Sequence, residues 1–316
     1  MSYLEFFHFD KEPFSTTSFN NYLYENKGQF KVINTIVNSI RFYSGIYPII
    51  GGEGVGKTFV LKQIQNILSN NDIVIFINAS EKTDILKVIS EQISMENKKQ
   101  NIDNVFQSIS KYHKKGQNII LIIDNFEELN KEQIINLSSL IEVIDYLKVI
   151  VAGNKNVKKV LNSKKYIFRT KIVKYFKLSH FSVIKGMKYI NSISINALSL
   201  SQYKNVITFW PRFFISFISN RNIKNLNYIT NQVIKNAFQN QNHKVKLKDV
   251  YSVAKKNFDL VKENIYIKFQ KVFVWGLILL SLYYCFKLVG DRYDLLKTIE
   301  VKKSIDKQEK EFEKLY

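Results

Sequence analysis

The residues best suited to chemistry lie in one short segment, Gly51-Gly52-Glu53-Gly54-Val55-Gly56-Lys57-Thr58. Its glycines, lysine and hydroxyl fit the pattern G-x4-G-K-[ST], in which backbone N–H groups cradle phosphate oxygens. In this pattern the lysine, Lys57, reaches the β- and γ-phosphates of a nucleotide, and the hydroxyl of Thr58 binds Mg²⁺. We therefore predict that the segment, extended to Phe59, binds ATP together with Mg²⁺.

The stretches on either side of this loop support the interpretation. An apolar run at 46–50 predicts a strand before the loop, and apolar residues at helical spacing over 59–68 predict a helix after it. A strand, a glycine loop and a helix form the context in which the pattern binds phosphate. A glycine-rich turn that matches by chance is the disfavoured alternative.

A second set of polar residues follows two later apolar runs. The run Asn118–Asp124 predicts a buried strand that ends in a carboxylate, so Asp124 would lie beside the loop and hold Mg²⁺ through water. Asn154 comes just after another apolar run, at 147–153. Its side chain would either orient the attacking water or simply cap a helix over 157–161.

The order of elements predicts an α/β fold. Strands expected at 46–50, 72–78, 118–124, 147–153 and 171–176 alternate with helices, which indicates a parallel sheet of about five strands. We expect five parts: an aromatic segment at 1–44 packing on the nucleotide domain, the P-loop domain at 45–180, a small helical domain at 181–260, a membrane helix and a tail.

The membrane helix is predicted from the uncharged run Val272–Phe286, which Lys287-Leu288-Val289 extends. With Lys287 reaching toward the interface, the run approaches the roughly 18–20 residues that a spanning helix needs. A buried core helix is disfavoured because apolar residues occupy every face. We predict a transmembrane helix at 268–289 and a charged tail at 290–316. Lysines occur on both sides of the helix, so charge does not decide its orientation.

Composition narrows the possible partners and reactions. The net charge of +20 indicates an acidic partner surface, either anionic lipid or nucleic acid, unless a lysine bias of the whole proteome explains it. The single cysteine, Cys285, excludes an intrachain disulfide and predicts a reducing compartment. No cluster of His and Cys and no nucleophile elbow is present, which leaves phosphoanhydride hydrolysis as the indicated reaction.

The N-terminal motifs Tyr3-Leu4-Glu5-Phe6-Phe7 and Glu12-Pro13-Phe14 resemble the start of the ExeA/GspA-type AAA+ ATPases. The resemblance covers about residues 3–258. It continues through the P-loop, the Asp124 strand and Arg221–Asn227, which is similar to the family's G-N-P-R-x-I-N. It implies an AAA+ sheet domain with a helical lid, ATP-dependent homo-oligomer or ring assembly, and a bacterial inner-membrane location with the ATPase domain in the cytoplasm. A secretion or pilus protein would be the partner of the tail.

The resemblance also implies further site residues. The family has Glu after the strand-ending Asp, to activate water, but here Asn125 follows Asp124, so Glu127 or Glu128 substitutes or hydrolysis is slow. Lys224 corresponds to the lid arginine that senses the γ-phosphate. The arginine finger that reaches a neighbouring subunit corresponds best to Arg169. Lys171 and Arg212 are weaker candidates for that finger.

Three functions are consistent with these features. The leading hypothesis is a membrane-anchored AAA+ ATPase that drives or regulates assembly of a type II secretion-like, pilus or DNA-uptake machine. The second is a DNA-binding ATPase of the transposition or replication-initiator type, and the third is a nucleotide-binding scaffold with little turnover. In the second, nucleic acid would be bound by basic residues at Lys155, Lys158, Lys159, Lys164, Lys165, Arg169, Lys171 and Lys174.

Overall fold

The computed structural model describes residues 1–14, 27–81, 84–93, 102–199, 206–220 and 222–256, together with Ser281 and Tyr284. The chain divides into two compact units, Met1–Lys256 and Asn257–Tyr316. The predicted membrane helix and the tail lie in the second unit, outside the described residues apart from Ser281 and Tyr284. In the ranges that the structure does describe, no helix has the length and apolar character needed to cross a membrane.

In the described part of the chain, five strands form one parallel sheet. The strands are β1 (Gly45–Gly51), β2 (Ile73–Asn78), β3 (Ile119–Asp124), β4 (Lys148–Gly153) and β5 (Phe176–Leu178). Their order across the sheet is β2-β3-β4-β1-β5. Strands β3 and β4 are buried along their whole length, as expected where helices cover both faces of a sheet. The predicted α/β parallel sheet is confirmed.

Helices pack on both faces of the sheet because consecutive residues of the central strands are apolar and point alternately to the two faces. Ile120 and Ile122 of β3 share a core with α2 (Lys27–Phe42) and α3 (Lys57–Leu68). Leu121 and Ile123 point to the other face and pack against a second group of helices. These are α4 (Ile85–Gln92), α5 (Ile102–Lys114), α6 (Lys131–Val143), α7 (Lys155–Leu161) and α8 (Phe168–Lys171).

The fifth strand begins later than the apolar pattern predicts. Lys171 still belongs to α8, and Ile172 makes only an isolated bridge to Ile46 before the chain leaves the sheet. The ladder with β1 starts at Phe176, which is buried like Leu178 while Lys177 between them is exposed. The predicted span of 171–176 was therefore wrong, because apolar composition does not show where an edge strand meets its neighbour.

Within the described residues, four helices follow the sheet, and we call this group the lid. They are α9 (Val183–Asn196), α10 (Phe209–Ile218), α11 (Ile223–Gln239) and α12 (Leu247–Lys256). Side chains cap two of them: Ser182 Oγ accepts a hydrogen bond from the backbone N–H of Lys185, and Asn222 Oδ1 accepts one from the N–H of Lys224. Such caps fix the point at which each lid helix begins.

The N-terminal helix α1 (Tyr3–Phe7) packs on the lid. The ring of Phe6 stacks on His243 at 4.6 Å between centroids. Glu12 accepts a hydrogen bond from Asn231 Nδ2 at 3.0 Å and pairs with Lys235 at 3.4 Å. Of the aromatic segment expected on the nucleotide domain, the first residues thus bind the lid, whereas α2 packs against α3.

Candidate nucleotide-binding site

The loop between β1 and α3 is shaped to receive an anion. Gly54 and Gly56 have φ values of 68° and 90°, in the left-handed region that glycine adopts without strain. Gly56 caps α3 without any side-chain hydrogen bond. The first backbone N–H groups of α3 therefore keep their hydrogen-bonding capacity, and the positive end of the helix favours phosphate.

The side chain of Lys57 lies along this loop. Its Nζ donates to the carbonyl oxygens of Gly51 at 3.1 Å and Gly52 at 2.8 Å. A lysine ammonium has three N–H donors, so one remains for a phosphate oxygen. The two carbonyl contacts hold the positive charge beside the loop before any phosphate arrives.

Thr58 and Asp124 meet across 66 residues of sequence. Thr58 Oγ1 donates to Asp124 Oδ2 at 2.5 Å, and Asp124 Oδ1 accepts from the backbone N–H of Asn125 at 3.0 Å. Asp124 is 2% exposed, at the carboxyl end of β3. A hydroxyl and a carboxylate are hard oxygen ligands of the kind that Mg²⁺ prefers. The pair fits Mg²⁺ held partly by the protein and partly by phosphate and water.

Thr58 and Asp124 are the protein donors that we assign to a metal. Among the described residues, no group of three or more His, Cys, Asp or Glu side chains is placed to hold a metal ion. Mg²⁺ retains several waters and binds through one or two carboxylates plus substrate phosphates, so it needs no larger cage. The donor set therefore suits an ion that arrives with a nucleotide.

Asn125 faces away from the loop. It has a φ of 53°, and its Nδ2 donates to Asn78 Oδ1 at 3.0 Å. Asn78 ends β2, and β2 lies on the opposite side of β3 from the strand that leads into the loop. Asn125 thus occupies the expected position of the water-activating residue without pointing toward the phosphates.

Glu127 reaches in the other direction, over β4. Its Oε1 accepts a hydrogen bond from the backbone N–H of Asn154 at 3.1 Å, and its carboxylate lies where a Cβ on Gly153 would collide with it. Since β4 lies between β3 and β1, Glu127 stands on the P-loop side of Asp124. Its Oε2 is buried and accepts no hydrogen bond from the residues that the structure describes, so it is available to a water molecule. Glu128 is exposed.

Asn154 caps α7. Its Oδ1 accepts from the backbone N–H of Asn156 at 2.7 Å, which is the capping alternative that the sequence left open. The amide nitrogen is the part of this side chain that the cap does not use. A water-orienting role for that nitrogen stays a prediction.

The lid contacts the P-loop through the start of α11. The backbone N–H of Ile223 donates to Gly54 O at 2.9 Å, and Asn222 Nδ2 donates to Glu53 O at 3.3 Å. Lys224 Nζ lies 3.7 Å from Glu53 Oε1, and both side chains are exposed. Lys224, the predicted γ-phosphate sensor, is therefore brought to the loop. Arg221 of the same motif lies outside the described residues.

Three side chains that sequence reasoning missed enclose the P-loop glycines. Gln29, which is 6% exposed, donates from Nε2 to Val55 O at 3.0 Å and lies against Gly56. The imidazole of His180 lies against Gly52, and Asn222 lies against Gly54. Asn222 lies within the Arg221–Asn227 segment that resembles the lid motif, although its contact with the loop was not predicted. Gln29 and His180 reach the loop from distant elements and carry no local signal.

The candidates for an arginine finger differ in their surroundings. Arg169 is exposed on α8. Lys171 forms an ion pair with Asp145 at 2.6 Å, and Arg212 donates to Thr208 O at 3.3 Å and to Asn191. Lys171 and Arg212 are thus engaged within the chain. The finger role of Arg169 requires a neighbouring subunit and stays a prediction.

Comparison with known proteins identifies the fold. Residues 40–161 match the sequence profile of an AAA domain. No curated protein matches the chain. The ExeA/GspA type within the AAA+ proteins therefore stays a prediction, whereas its AAA domain is confirmed.

Solved structures resemble both the sheet domain and the lid. Cdc6p from Pyrobaculum aerophilum is 15% identical with a TM-score of 0.65, over 78% of this chain and 71% of its own. Aeropyrum pernix Orc1 in complex with DNA is 14% identical with a TM-score of 0.60, over 78% and 69%. The Thermotoga maritima RuvB Holliday junction branch migration motor is 15% identical with a TM-score of 0.53, over 79% and 72%. At these identities the similarity establishes the AAA+ fold.

Proposed function

We propose that this protein is a membrane-tethered ATPase of the AAA+ fold whose nucleotide cycle moves its lid and controls assembly. The observation that carries the proposal is the contact of Thr58 with Asp124 beside a P-loop on which the lid rests. Lys57 binds the β- and γ-phosphates, and Thr58 and Asp124 orient Mg²⁺, which neutralises charge on the phosphates when bound.

Hydrolysis depends on Glu127 in this proposal. Its unpartnered Oε2 accepts a proton from the attacking water, and the N–H of Asn154 holds the other carboxylate oxygen in place. When ATP binds, Lys224 leaves Glu53 and contacts the γ-phosphate instead. Loss of that phosphate on hydrolysis then releases the start of α11. Lysine offers a single charge where an arginine would bind bidentately, which favours a slow cycle.

The apolar run at 272–286 tethers the ATPase to a bilayer. By the ExeA/GspA resemblance, that bilayer is a bacterial inner membrane with the nucleotide domain in the cytoplasm. Subunits assemble through ATP, with Arg169 reaching the neighbour. The tail at 290–316 contacts an envelope secretion, pilus or DNA-uptake protein.

Binding of DNA is the second candidate. It is favoured by the basic run from Lys155 to Lys174 and by the similarity in fold to Orc1, whose structure was determined in complex with DNA. Counterion release makes such binding fall steeply with salt. Duplex binding by the full chain, measured from 50 to 300 mM salt, separates the two candidates when combined with membrane fractionation. A protein in the soluble fraction that binds duplex tightly would overturn the membrane proposal.

The nucleotide part is tested with the full chain and a fluorescent ATP analogue. We expect Mg²⁺-dependent binding that Lys57→Ala weakens at least about 100-fold, because the phosphates lose the lysine that lies along the loop. Lys62→Ala, an exposed lysine on the same helix, should bind like the wild type. Equal binding by both variants would refute a P-loop site.

A further inference from the structure

We propose that the outer face of the lid docks on an anionic lipid surface. The inference deepens the proposed membrane function, since it names a second contact with the bilayer besides the apolar run. The face is formed by the aromatic side chains of α10 and by the neighbouring lysines of α9. We call the aromatic part the aromatic ridge: Phe209, Trp210, Phe213, Phe214 and Phe217.

The ridge is a contiguous apolar patch. Trp210 is 60% exposed, Phe209 is 54% exposed and Phe214 is 42% exposed, although all three are large apolar side chains. Neighbouring rings contact one another with centroid distances from 5.4 Å to 6.4 Å along the helix. An exposed patch of this kind marks an interaction site rather than an accident of the surface.

Helical spacing places the ridge opposite the lid core. The residues of α10 that are buried against the other lid helices are Pro211, Ile215, Ser216 and Ile218. The buried Ser216 donates from Oγ to Val183 O at 2.8 Å, and Arg212 donates to Asn191, so α9 packs beside α10. The exposed residues of α9 therefore adjoin the ridge and extend the same face. They are Ile184, which is 67% exposed, Lys185 and Lys188.

The charge around the ridge has one sign. No Asp or Glu occurs in the sequence between Asp145 and Asp249, and the charged side chains of that stretch are all Lys or Arg. Asp249 itself is fully buried and accepts hydrogen bonds from Asn240 and Lys246. Among the described residues of the lid, no carboxylate therefore faces the solvent beside the ridge.

This distribution is not a general lysine bias. Such a bias would add lysines everywhere without removing acids from a single stretch, whereas the rest of the chain carries acids and bases in near balance. The positive charge is concentrated in the part of the chain that contains the lid. A surface of uniform sign indicates a partner of opposite charge.

The chemistry of the face favours lipid over nucleic acid. Bases stack on separate ring faces, but the ridge packs its rings against one another, edge to face in three of four contacts. Trp and Phe beside Lys are typical of helices that lie in the membrane interface and bind anionic headgroups. The lid ends at Lys256, shortly before the proposed tether, so the docking contact needs only weak intrinsic affinity.

The test uses the full chain and its two tryptophans, Trp210 and Trp275. In a Trp275→Phe protein, Trp210 alone reports on the ridge. We expect its emission to shift to the blue and to be quenched by roughly half in phosphatidylglycerol vesicles that contain brominated lipid. Phosphatidylcholine vesicles should quench it much less, because they lack the headgroup charge.

Charge reversal provides the matched control. Lys185→Glu combined with Lys188→Glu should require about tenfold more anionic lipid for the same quenching, whereas Lys62→Glu on α3 should leave it unchanged. Binding of the ATP analogue in each sample verifies that the variants are folded. Quenching that depends neither on the lipid charge nor on the charge reversal in α9 would overturn the proposal. A Trp210 response to duplex DNA without a response to vesicles would overturn it as well.

The reciprocal protein, Trp210→Phe, separates this inference from the tether. In it Trp275 reports on the apolar run. Quenched Trp275 with unquenched Trp210 would refute the docking face and leave the membrane function intact. Quenched Trp210 with unquenched Trp275 would support the docking face and refute the tether.

Discussion

Two carboxylates follow the buried strand β3 closely, and only Glu127 of the two is built into the site. The N–H of Asn154 holds one of its oxygens, and the other is buried without a protein donor. Asn125, in the position where the family has glutamate, is turned toward Asn78. Glu127, two residues after Asn125, reaches the phosphate side because the turn after β3 folds back over β4.

We expect Glu127→Gln to slow ATP hydrolysis about 100-fold, because the amide cannot accept the proton of the attacking water. Affinity for the ATP analogue should stay within about twofold of the wild type. Single-turnover hydrolysis measures the first quantity and fluorescence titration the second. Glu128→Gln, on the exposed neighbour, is the control and should leave turnover unchanged. Unaltered turnover in Glu127→Gln would remove this residue from the mechanism.

At the scale of elements, the P-loop and helix α11 are joined by direct hydrogen bonds. The backbone bond from Ile223 to Gly54 joins them, and Asn222 both caps the helix and binds the loop. A nucleotide that alters the loop must therefore alter the start of the lid. The coupling needs no relay of side chains, since the two elements touch.

We expect Asn222→Ala to uncouple the lid from the nucleotide. Loss of the cap should lower the free energy of unfolding by about 1 kcal/mol, because an N–H of the first turn loses its acceptor. Hydrogen exchange at the first turn of α11 should slow when the ATP analogue binds the wild type, but much less in the variant. Asn196→Ala, at an exposed position of α9, is the control. Equal protection in both variants would argue against this link.

The contact between the N-terminal segment and the lid should depend on pH through Glu12. Partial burial raises the pKa of Glu12, but the hydrogen bond from Asn231 and the charge of Lys235 outweigh that effect and hold the pKa below its ordinary value of 4.5. Because the folded pKa is lowered, the stabilisation is complete above pH 4.5 and is lost as the pH falls through the folded pKa.

The experiment compares thermal unfolding of the wild type and Glu12→Gln at pH 7 and at pH 3.5. We expect the variant to be less stable at pH 7, by under about 1 kcal/mol for a partly exposed pair. The difference should be smaller at pH 3.5, because the stabilisation declines as the pH falls below 4.5 toward the lowered folded pKa. Glu142→Gln, exposed on α6, should show no such convergence. A difference that is constant with pH would rule out the ionised pair.

Short sequence patterns predicted many of the elements that form the nucleotide site. The P-loop and β1 to β4 follow from glycine spacing and from apolar runs that any buried parallel strand needs. The start of β5, the packing of Phe6 on the lid and the direction of Asn125 did not follow. They depend on which distant segments meet, as do the contacts of Gln29 and His180 with the P-loop, and a single sequence contains no pattern for such meetings.

At the scale of the whole molecule, the proposed function depends on contacts between copies of the chain. The proposed assembly places Arg169 of one subunit at the nucleotide of the next. Its position on the short helix α8, exposed beside the last strands of the sheet, suits contact with a neighbour. An isolated subunit would bind ATP and hydrolyse it poorly.

We expect Arg169→Ala to lower hydrolysis at high protein concentration by about 100-fold or more, the scale of an arginine finger, without changing binding of the ATP analogue. Under dilute conditions the wild type should fall to the level of the variant, because the subunits separate. Turnover as a function of protein concentration provides the measurement, with Lys165→Ala as the matched surface control. A specific activity independent of concentration in the wild type would contradict a shared site.

The enclosure of the P-loop by Gln29, His180 and Asn222 also governs the order in which this chain matures during synthesis. The loop leaves the ribosome early, between the first of these residues and the other two. His180 and Asn222 cannot enclose the loop until α11 has emerged from the ribosome and packed, so the loop stays uncovered for much of synthesis. A nascent chain stalled before residue 222 would present an uncovered phosphate loop.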